Sequence, residues 1–363
     1  MKKSLLWFVI LVMSILMVAV FSLGGCKAAE EAAPAKEEVA EEEAPAEEVA
    51  EEAKAPEDYE IVMVVKLEGV AWFDNMRLGI EDFAADTGVN AYQIGADTAD
   101  PAAQVALIED LVAKGVDAIL VVPNDPGSLE PVFKKANDVG ILTLTHEASV
   151  QKQISYDIEA FDNDAYGRHM MDVMAEWMNY EGKYVCFVGH LTSTTHNEWV
   201  DGEIAQQEEN YPNMELACDR IEDQENQQLD YEKALEVIKT YPDIKGFMGS
   251  AMCGVPGFSQ AIEEKDLIGK VAAFGTCLPS VAYDYLKSGA AQSIHFWVPA
   301  DAGYVTAMVA WQLLQGNEIT EGMDLGRPGY ESITIKENEF GEKVIYGSAW
   351  VDVILENIDE YDL

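Results

Sequence analysis

Residues 60–73 read EIVMVVKLEGVAWF. The apolar run after Glu60 stops at Lys66, and Phe73, Met76, Ile80 and Phe83 follow at helical spacing. An uninterrupted apolar run predicts a strand over 60–66 covered on both faces. The amphipathic stretch behind it predicts the crossover helix of a parallel sheet.

The same alternation continues outward. A strand is predicted over 90–95, then a helix opened by Asp100 as cap with Pro101 in its first turn. A third strand, 118–122, ends in the turn residues Pro123, Asn124, Asp125, Pro126 and Gly127. A helix from Ser128 and a strand over 141–145 complete one lobe. The plan then restarts with strand 183–189, helix 197–211, strand 214–221, helix 227–241 and strands 246–250 and 271–275. Two α/β lobes with parallel sheets imply a cleft between them, where loop side chains at the carboxyl ends of strands converge.

The 363 residues hold 66 Asp and Glu against 23 Lys and Arg, a formal charge of −43. Nucleic acid is excluded as a partner, because its affinity rests on neutralising phosphates with Lys and Arg. Residues 27–58 carry a net −10 and residues 59–363 carry −35. The folded part is therefore itself acidic, and the excess reads as solvated surface.

Lys2 and Lys3 precede an apolar run without charge, residues 5–23, which ends Leu23, Gly24, Gly25, Cys26. This ending resembles the bacterial lipoprotein processing motif and assigns 1–25 to a signal peptide and Cys26 to lipidation. Residues 26–58 are mostly Ala, Glu, Pro, Val and Lys. They bury too little apolar surface to offset ordering and read as an acidic disordered tether. The expectation is an extracytoplasmic monomer held to the membrane by its lipid alone. Cys186, Cys218, Cys253 and Cys277 are too few for a disulfide framework. Cys186 reads as a small buried hydrophobe. Cys253 and Cys277 each follow a strand, and their spacing leaves a mutual disulfide open.

Residues 65–73 (VKLEGVAWF), 100–104 (DPAAQ), 123–126 (PNDP), 254–260 and 350–363 resemble extracytoplasmic solute-binding proteins of sugar ABC importers. The resemblance covers essentially everything after Tyr59 and is strongest to the rhamnose-binding and autoinducer-2-binding branch. It implies the type I periplasmic binding protein fold, an α/β architecture of two Rossmann-like lobes with parallel sheets joined by three hinge crossovers. These are expected near 160–164, 292–296 and 325–330. The lobes then comprise 59–161 plus 294–326 and 162–293 plus 327–363. It further implies a sugar-like ligand, a membrane permease as partner, and neither cofactor nor catalysis.

A sugar site needs planar hydrogen-bonding groups for hydroxyls and aromatic faces for the ring. Lys66 matches a ligand-contacting lysine of the autoinducer-2 branch, with a structural salt bridge as the alternative. Trp72 and Phe73 match an aromatic wall, although ordinary helix packing also accounts for Phe73. Asn124 and Asp125 sit in a turn where such residues contact ligand or bond their own backbone. His146 and Glu147 follow the fourth strand, and Glu147 takes the place of an acidic hydroxyl acceptor. Thr195, His196 and Asn197 open a helix, Asn197 being equally a plain cap. The autoinducer-2 binders carry Asp then Gln at Thr195 and His196, which argues against that signal. Pro256 matches a family landmark, Phe258 is larger than the residue expected there, and the acid many sugar binders carry near Cys277 is missing. The pocket is thus expected to be smaller or more apolar than a hexose site. Trp297 resembles a second aromatic wall, and strand alternation puts His295 on its face.

Two rival readings follow from the same residues. One is a sensory receptor for a furanosyl signal of autoinducer-2 type. The other is a metal or small-solute receptor in which His146, His196, His295 and Glu147 hold a transition metal. His169 and His190 receive no role. There is no nucleophile elbow, P-loop, G-x-G-x-x-G or paired-carboxylate motif to support an enzyme. The place of a DNA-binding head is taken by the signal segment and tether.

Overall fold

The computed structural model describes residues 54–361; the expected signal peptide, Cys26 and residues 27–53 of the tether lie outside the described residues. The tether ends earlier than expected. Pro56–Asp58 form a single 3-10 turn, and Lys54 Nζ lies 2.6 Å from Asp117 Oδ1 and 4.5 Å over the Tyr59 ring. A lysine with a carboxylate and an aromatic face to hold it belongs to the globular part.

Along the chain come β1 (Glu60–Val65), α1 (Ala71–Thr87), β2 (Asn90–Gly95), α2 (Pro101–Lys114), β3 (Ala118–Val121), α3 (Pro126–Asp138), β4 (Leu142–His146) and β5 (Tyr156–Glu159). Then follow α4 (Asn163–Trp177), β6 (Gly182–Val188), α5 (Thr194–Asn210), β7 (Met214–Leu216), β8 (Ile221–Glu222), α6 (Gln227–Thr240), β9 (Ile244–Gly249), α7 (Gly254–Glu264), β10 (Ala272–Thr276), α8 (Pro279–Ser288) and β11 (Ala291–Phe296). The described chain closes with α9 (Pro299–Leu314), β12 (Thr334–Glu337), β13 (Lys343–Tyr346) and β14 (Val351–Ile354).

Two sheets result, one ordered β12-β13-β5-β4-β3-β1-β2 and the other β14-β11-β10-β9-β6-β7, with β8 pairing β6. Both are parallel except where β12 meets β13 and β11 meets β14. The apolar run of β1 explains its central place: Ile61, Met63 and Val65 enter one core while Val62 and Val64 enter another on the opposite face. Asp100 accepts from Ala102 N at 2.8 Å and starts α2 as the Asp-Pro pair predicts. Gly88, at φ 77°, ends α1 in the left-handed conformation that costs glycine little.

The chain passes between the sheets three times, after β5, after β11 and after β13. The first passage lies where expected. The second comes after Phe296, because β11 runs its full length inside the second sheet. The third is displaced from 325–330 to 347–350, because β12 and β13 form a hairpin that pairs with β5 in the first sheet. The lobe divisions expected at 293/294 and 326/327 move accordingly. The displaced hairpin is an edge: β12 is almost wholly exposed, so it lacks the apolar run that marks a core strand.

Candidate functional site

Between the two sheets lies a small cavity of about 50 Å³. Lys66 enters it directly beyond the end of β1, where a cation needs partners. Its Nζ lies 2.9 Å from Glu147 Oε2 and 3.6 Å from Glu225 Oε1. The first carboxylate belongs to the same lobe and the second to the other. Burial pushes the Lys66 pKa down, but Glu147 and then Glu225 outweigh it and hold the ammonium above its ordinary range. Glu147 reaches Lys66 from a left-handed backbone, φ 62°, directly after β4. Such strain in a residue other than glycine persists only where surrounding contacts demand it.

His196 faces Lys66 from the other lobe, its Nε2 3.5 Å from Nζ. Burial and then the Lys66 charge hold its pKa well below the ordinary value, so the ring is neutral. Its Nδ1 accepts from Gly189 N at 3.1 Å. That bond assigns the ring proton to Nε2, so Lys66 and His196 present two donors side by side, aimed where an acceptor would sit.

Three indoles frame these groups. Trp72 meets Trp297 edge to face at 4.7 Å, and Trp297 meets Trp199 at 5.7 Å. Phe73 completes the wall of the first lobe. Trp199 is seated by close packing of α4 on α5: a β-carbon on Gly167 would lie 2.0 Å from the Trp199 carbonyl oxygen, a contact only glycine admits. Trp297 is buried, yet its Nε1–H has no hydrogen-bond partner, and neither does Glu225 Oε1. Both residues line the cavity. The wall therefore holds an orphan donor, Trp297 Nε1–H, beside an acceptor, Glu225 Oε1, that only the Lys66 charge holds at 3.6 Å.

Of the residues expected from sequence, Lys66, Trp72, Phe73, Glu147, His196 and Trp297 line this cavity and the others do not. Asn124 stands one step behind, its Nδ2 donating to Lys66 O at 3.1 Å, so it holds the lysine strand end. Asp125 caps α3 through Gly127 N. The turn residues fall to backbone bonding, and Asn197 is not the expected cap: α5 starts at Thr194 with Ser193 in the cap position, and Asn197 Nδ2 donates to the Ser193 carbonyl at 2.7 Å. Thr195 Oγ1 turns across the lobes to donate to Glu159 Oε1 at 3.2 Å. Pro256 is buried within α7, and Phe258 packs on Phe187 at 4.5 Å in the second lobe's core. Cys277 is buried and bonds the Met252 carbonyl. Cys186, Cys218, Cys253 and Cys277 are all free thiols.

The histidines separate. His146 Nδ1 donates to Ile158 O at 2.6 Å, and its ring packs edge-on to Trp297 outside the cavity. His295 does not share the surroundings of Trp297, because β11 ends between them at Phe296 and strand alternation stops there. It bonds Asp352 at 2.7 Å, which His169 also contacts at 2.8 Å. Among the described residues, His146, His196, His295 and Glu147 form no common metal-binding group.

Trp199, Glu225, Thr276 and residues 250–253 line the cavity without having been singled out as ligand contacts. The stretch 250–253 follows β9 at its carboxyl end, the same rule that finds Lys66. Glu225 carried no such signal. It sits on a loop where Gln224 and Glu225 both adopt positive φ, 57° and 56°.

Comparison with known proteins is consistent with this architecture. The ribose import binding protein RbsB of Bacillus subtilis is 28% identical over 107 residues, 30% of this chain and 35% of that protein. A D-ribose/D-allose-binding protein of Pseudomonas aeruginosa is 34% identical over 58 residues, 16% of this chain and 18% of that protein. The matches thus span about a third or less of either relative. Among solved structures, LsrB from Clostridium saccharobutylicum in complex with AI-2 superposes with a TM-score of 0.78 at 18% identity, covering 84% of this chain and all of that one. An ABC transporter solute-binding protein from Clostridium phytofermentas with bound L-rhamnose gives 0.76 at 20% identity, covering 84% and 98%. These likenesses establish the type I periplasmic binding protein fold. Residues 61–318 match the periplasmic binding protein domain, and with the match spanning most of the chain and both lobes around the cavity, the protein belongs to that family.

Proposed function

We propose that the chain is an extracytoplasmic substrate-binding protein that captures a sugar or sugar-like small molecule between its lobes and delivers it to an ABC transporter permease. The observation that carries this reading is the unbonded Trp297 Nε1–H in a cavity framed by indoles, with Glu225 Oε1 held there only by the Lys66 charge. A sugar hydroxyl both donates and accepts, and one ring face is apolar. Lys66, His196 and Trp297 supply donors, Glu147 and Glu225 supply acceptors, and Trp72 and Phe73 supply flat apolar contact. The role is binding and not catalysis, as in the transport-associated members of the family. Signal peptide, lipidation of Cys26, acidic tether and a monomeric chain complete the proposal, with attachment to the membrane through lipid. Among the described residues no helix is long and apolar enough to cross a membrane.

Capture requires the lobes to part and close. Contacts that join them here include Ser149 Oγ to Glu198 Oε1 at 2.6 Å and Thr195 to Glu159. Ligand would add to these and shift the population toward the closed form. A second reading, reception of a furanosyl signal, is favoured by Lys66 standing at the cavity and by the likeness to the AI-2 complex.

A thermal-shift screen tests both. D-ribose, L-rhamnose, D-arabinose, other pentoses and polyols, and AI-2 with and without borate are titrated against the purified protein. Binding to the native state alone raises Tm by mass action. A saturable rise with a neutral sugar supports transport-type capture, and a rise with AI-2 alone supports the signal reading. If no carbohydrate shifts Tm while charged solutes do, the sugar reading fails.

A further inference from the structure

Behind the cavity wall of the second lobe lies a group of side chains that the sugar reading leaves unused. Asp223 follows β8, Asp230 sits in the first turn of α6, and Cys253 immediately precedes α7. One carboxylate oxygen from each acid and the Cys253 Sγ all lie within 4.8 Å of one another. Asp223 and Asp230 are 0% exposed.

Proximity of acids alone would mean little, but these acids are also unsatisfied. Asp223 Oδ1 accepts from Glu225 N at 2.8 Å, whereas Asp223 Oδ2 and both Asp230 oxygens have no hydrogen-bond partner. Among the described residues no Lys, Arg or His forms an ion pair with either acid. The nearby Lys233 is committed elsewhere, its Nζ donating to the Glu222 carbonyl. A buried anionic pair with no cation is resolved either by taking up protons or by binding a metal ion.

We propose that Asp223, Asp230 and Cys253 form a binding site for a thiophilic divalent cation of the Zn²⁺ type, set behind the ligand cavity. A thiolate with two carboxylates is a mixed S/O donor set, which suits Zn²⁺ and Cd²⁺ and not Ca²⁺ or Mg²⁺, which take oxygen alone. Tetrahedral Zn²⁺ needs ligand atoms roughly 3.5 Å apart, so donors up to 4.8 Å apart close by about 1.3 Å at most. Binding displaces the thiol proton and any carboxyl proton to solvent. The fourth position falls to water. Because Cys253 and Glu225 also line the cavity, the cation would brace the second lobe's wall. The proposal stands whatever the ligand in the cavity is.

The test uses the full chain, stripped with chelator and reduced, and Cd²⁺ as the probe. One equivalent of Cd²⁺ should produce an ultraviolet thiolate-to-metal charge-transfer band that is lost in Cys253→Ser and retained in Cys218→Ser. Asp230→Asn should weaken Cd²⁺ at least about tenfold. In the unmutated protein Zn²⁺ should raise Tm by about 3 °C or more and protect Cys253 from alkylation, read by mass spectrometry, so that the proposal does not hang on a variant that fails to fold. A band that persists in Cys253→Ser would overturn the assignment. Absence of Cd²⁺ binding, with Cys253 alkylated equally with and without Zn²⁺, would leave the group as a proton-sharing carboxyl and thiol cluster and sink the proposal.

Discussion

Buried charge is handled in opposite ways at the cavity and in the cores behind it. In the first lobe, Glu147 is matched by Lys66 at 2.9 Å. Away from that pair, Asp157 in the first lobe and Glu203, Asp223 and Asp230 in the second are all 0% exposed and carry carboxylate oxygens with no hydrogen-bond partner. None of these four acids forms an ion pair among the described residues. The Lys66 ammonium, buried at the cavity, is spent where the lobes meet, and these acids must hold protons or a metal ion instead. The difference marks Lys66 as the charge on which the cavity depends.

The sharpest way to break this comparison is to remove that charge. Lys66→Met leaves Glu147 buried and unpaired, and should destabilise the protein by about 3 to 5 kcal/mol. Urea unfolding at pH 7.5 measures it, and adding Glu147→Gln should recover part of the loss. A neutral Lys66→Met would show that the pair is not what distinguishes the cavity from the cores.

The second lobe predicts the opposite sign. Burial pushes Glu203 up to about 7, against the pull of the Cys186 thiol and Arg220. The unfolded chain releases that proton near its ordinary value, about 4.3. Between these values the folded state binds more protons, so stability is full below about pH 4 and falls as pH rises through about 7. Glu203→Gln should therefore stabilise at pH 7.5 by about 2 kcal/mol and flatten the fall of Tm between pH 5 and 7.5. An unchanged pH profile in the variant would remove Glu203 as its source.

Smaller effects refine the cavity. Trp297 is packed against Trp72, Trp199 and Phe161, so truncation to alanine damages the core as well as the site. Trp297→Phe keeps most of the packing and deletes the orphan N–H. It should weaken the sugar identified by thermal shift by about 1 kcal/mol, read by calorimetric titration. Equal affinity would mean that the indole N–H does not meet the ligand. Thr195→Val removes the hydroxyl that joins the lobes at Glu159, a change of about 0.5 to 1 kcal/mol. Small-angle scattering should show a larger ligand-free radius of gyration in the variant. In the unmutated protein, saturating sugar should reduce the radius, and no change would argue against closure.

Much of the fold was legible because its strands are buried on both faces. Continuous apolar runs such as 61–65 and 118–122 identify themselves without knowledge of any partner, and Asp100-Pro101 marks a helix start by local chemistry. The displaced third passage shows the limit: β12 and β13 are recruited by the edge of β5, and edge strands with exposed side chains carry no such run. The cavity divides along the same line. Lys66 and Glu147 sit where a strand ends and its loop begins, and Trp72 opens the helix that follows, positions that the chain order predicts. Glu225 and Trp199 reach the cavity only through a loop with positive φ and through the close crossing of α4 and α5 at Gly167.

Sequence alone determined the alternation of strand and helix, the acidic balance and the strand-end residues of the first lobe, because each depends on local composition or on spacing within one segment. Tertiary structure alone decided which of those residues converge. Thr195, Asn197 and His295 were as plausible as His196 in sequence, yet each found a nearer partner in Glu159, the Ser193 carbonyl or Asp352. A polar side chain is free for a ligand only when no protein group satisfies it first, and that competition is settled by distances between segments far apart in the chain.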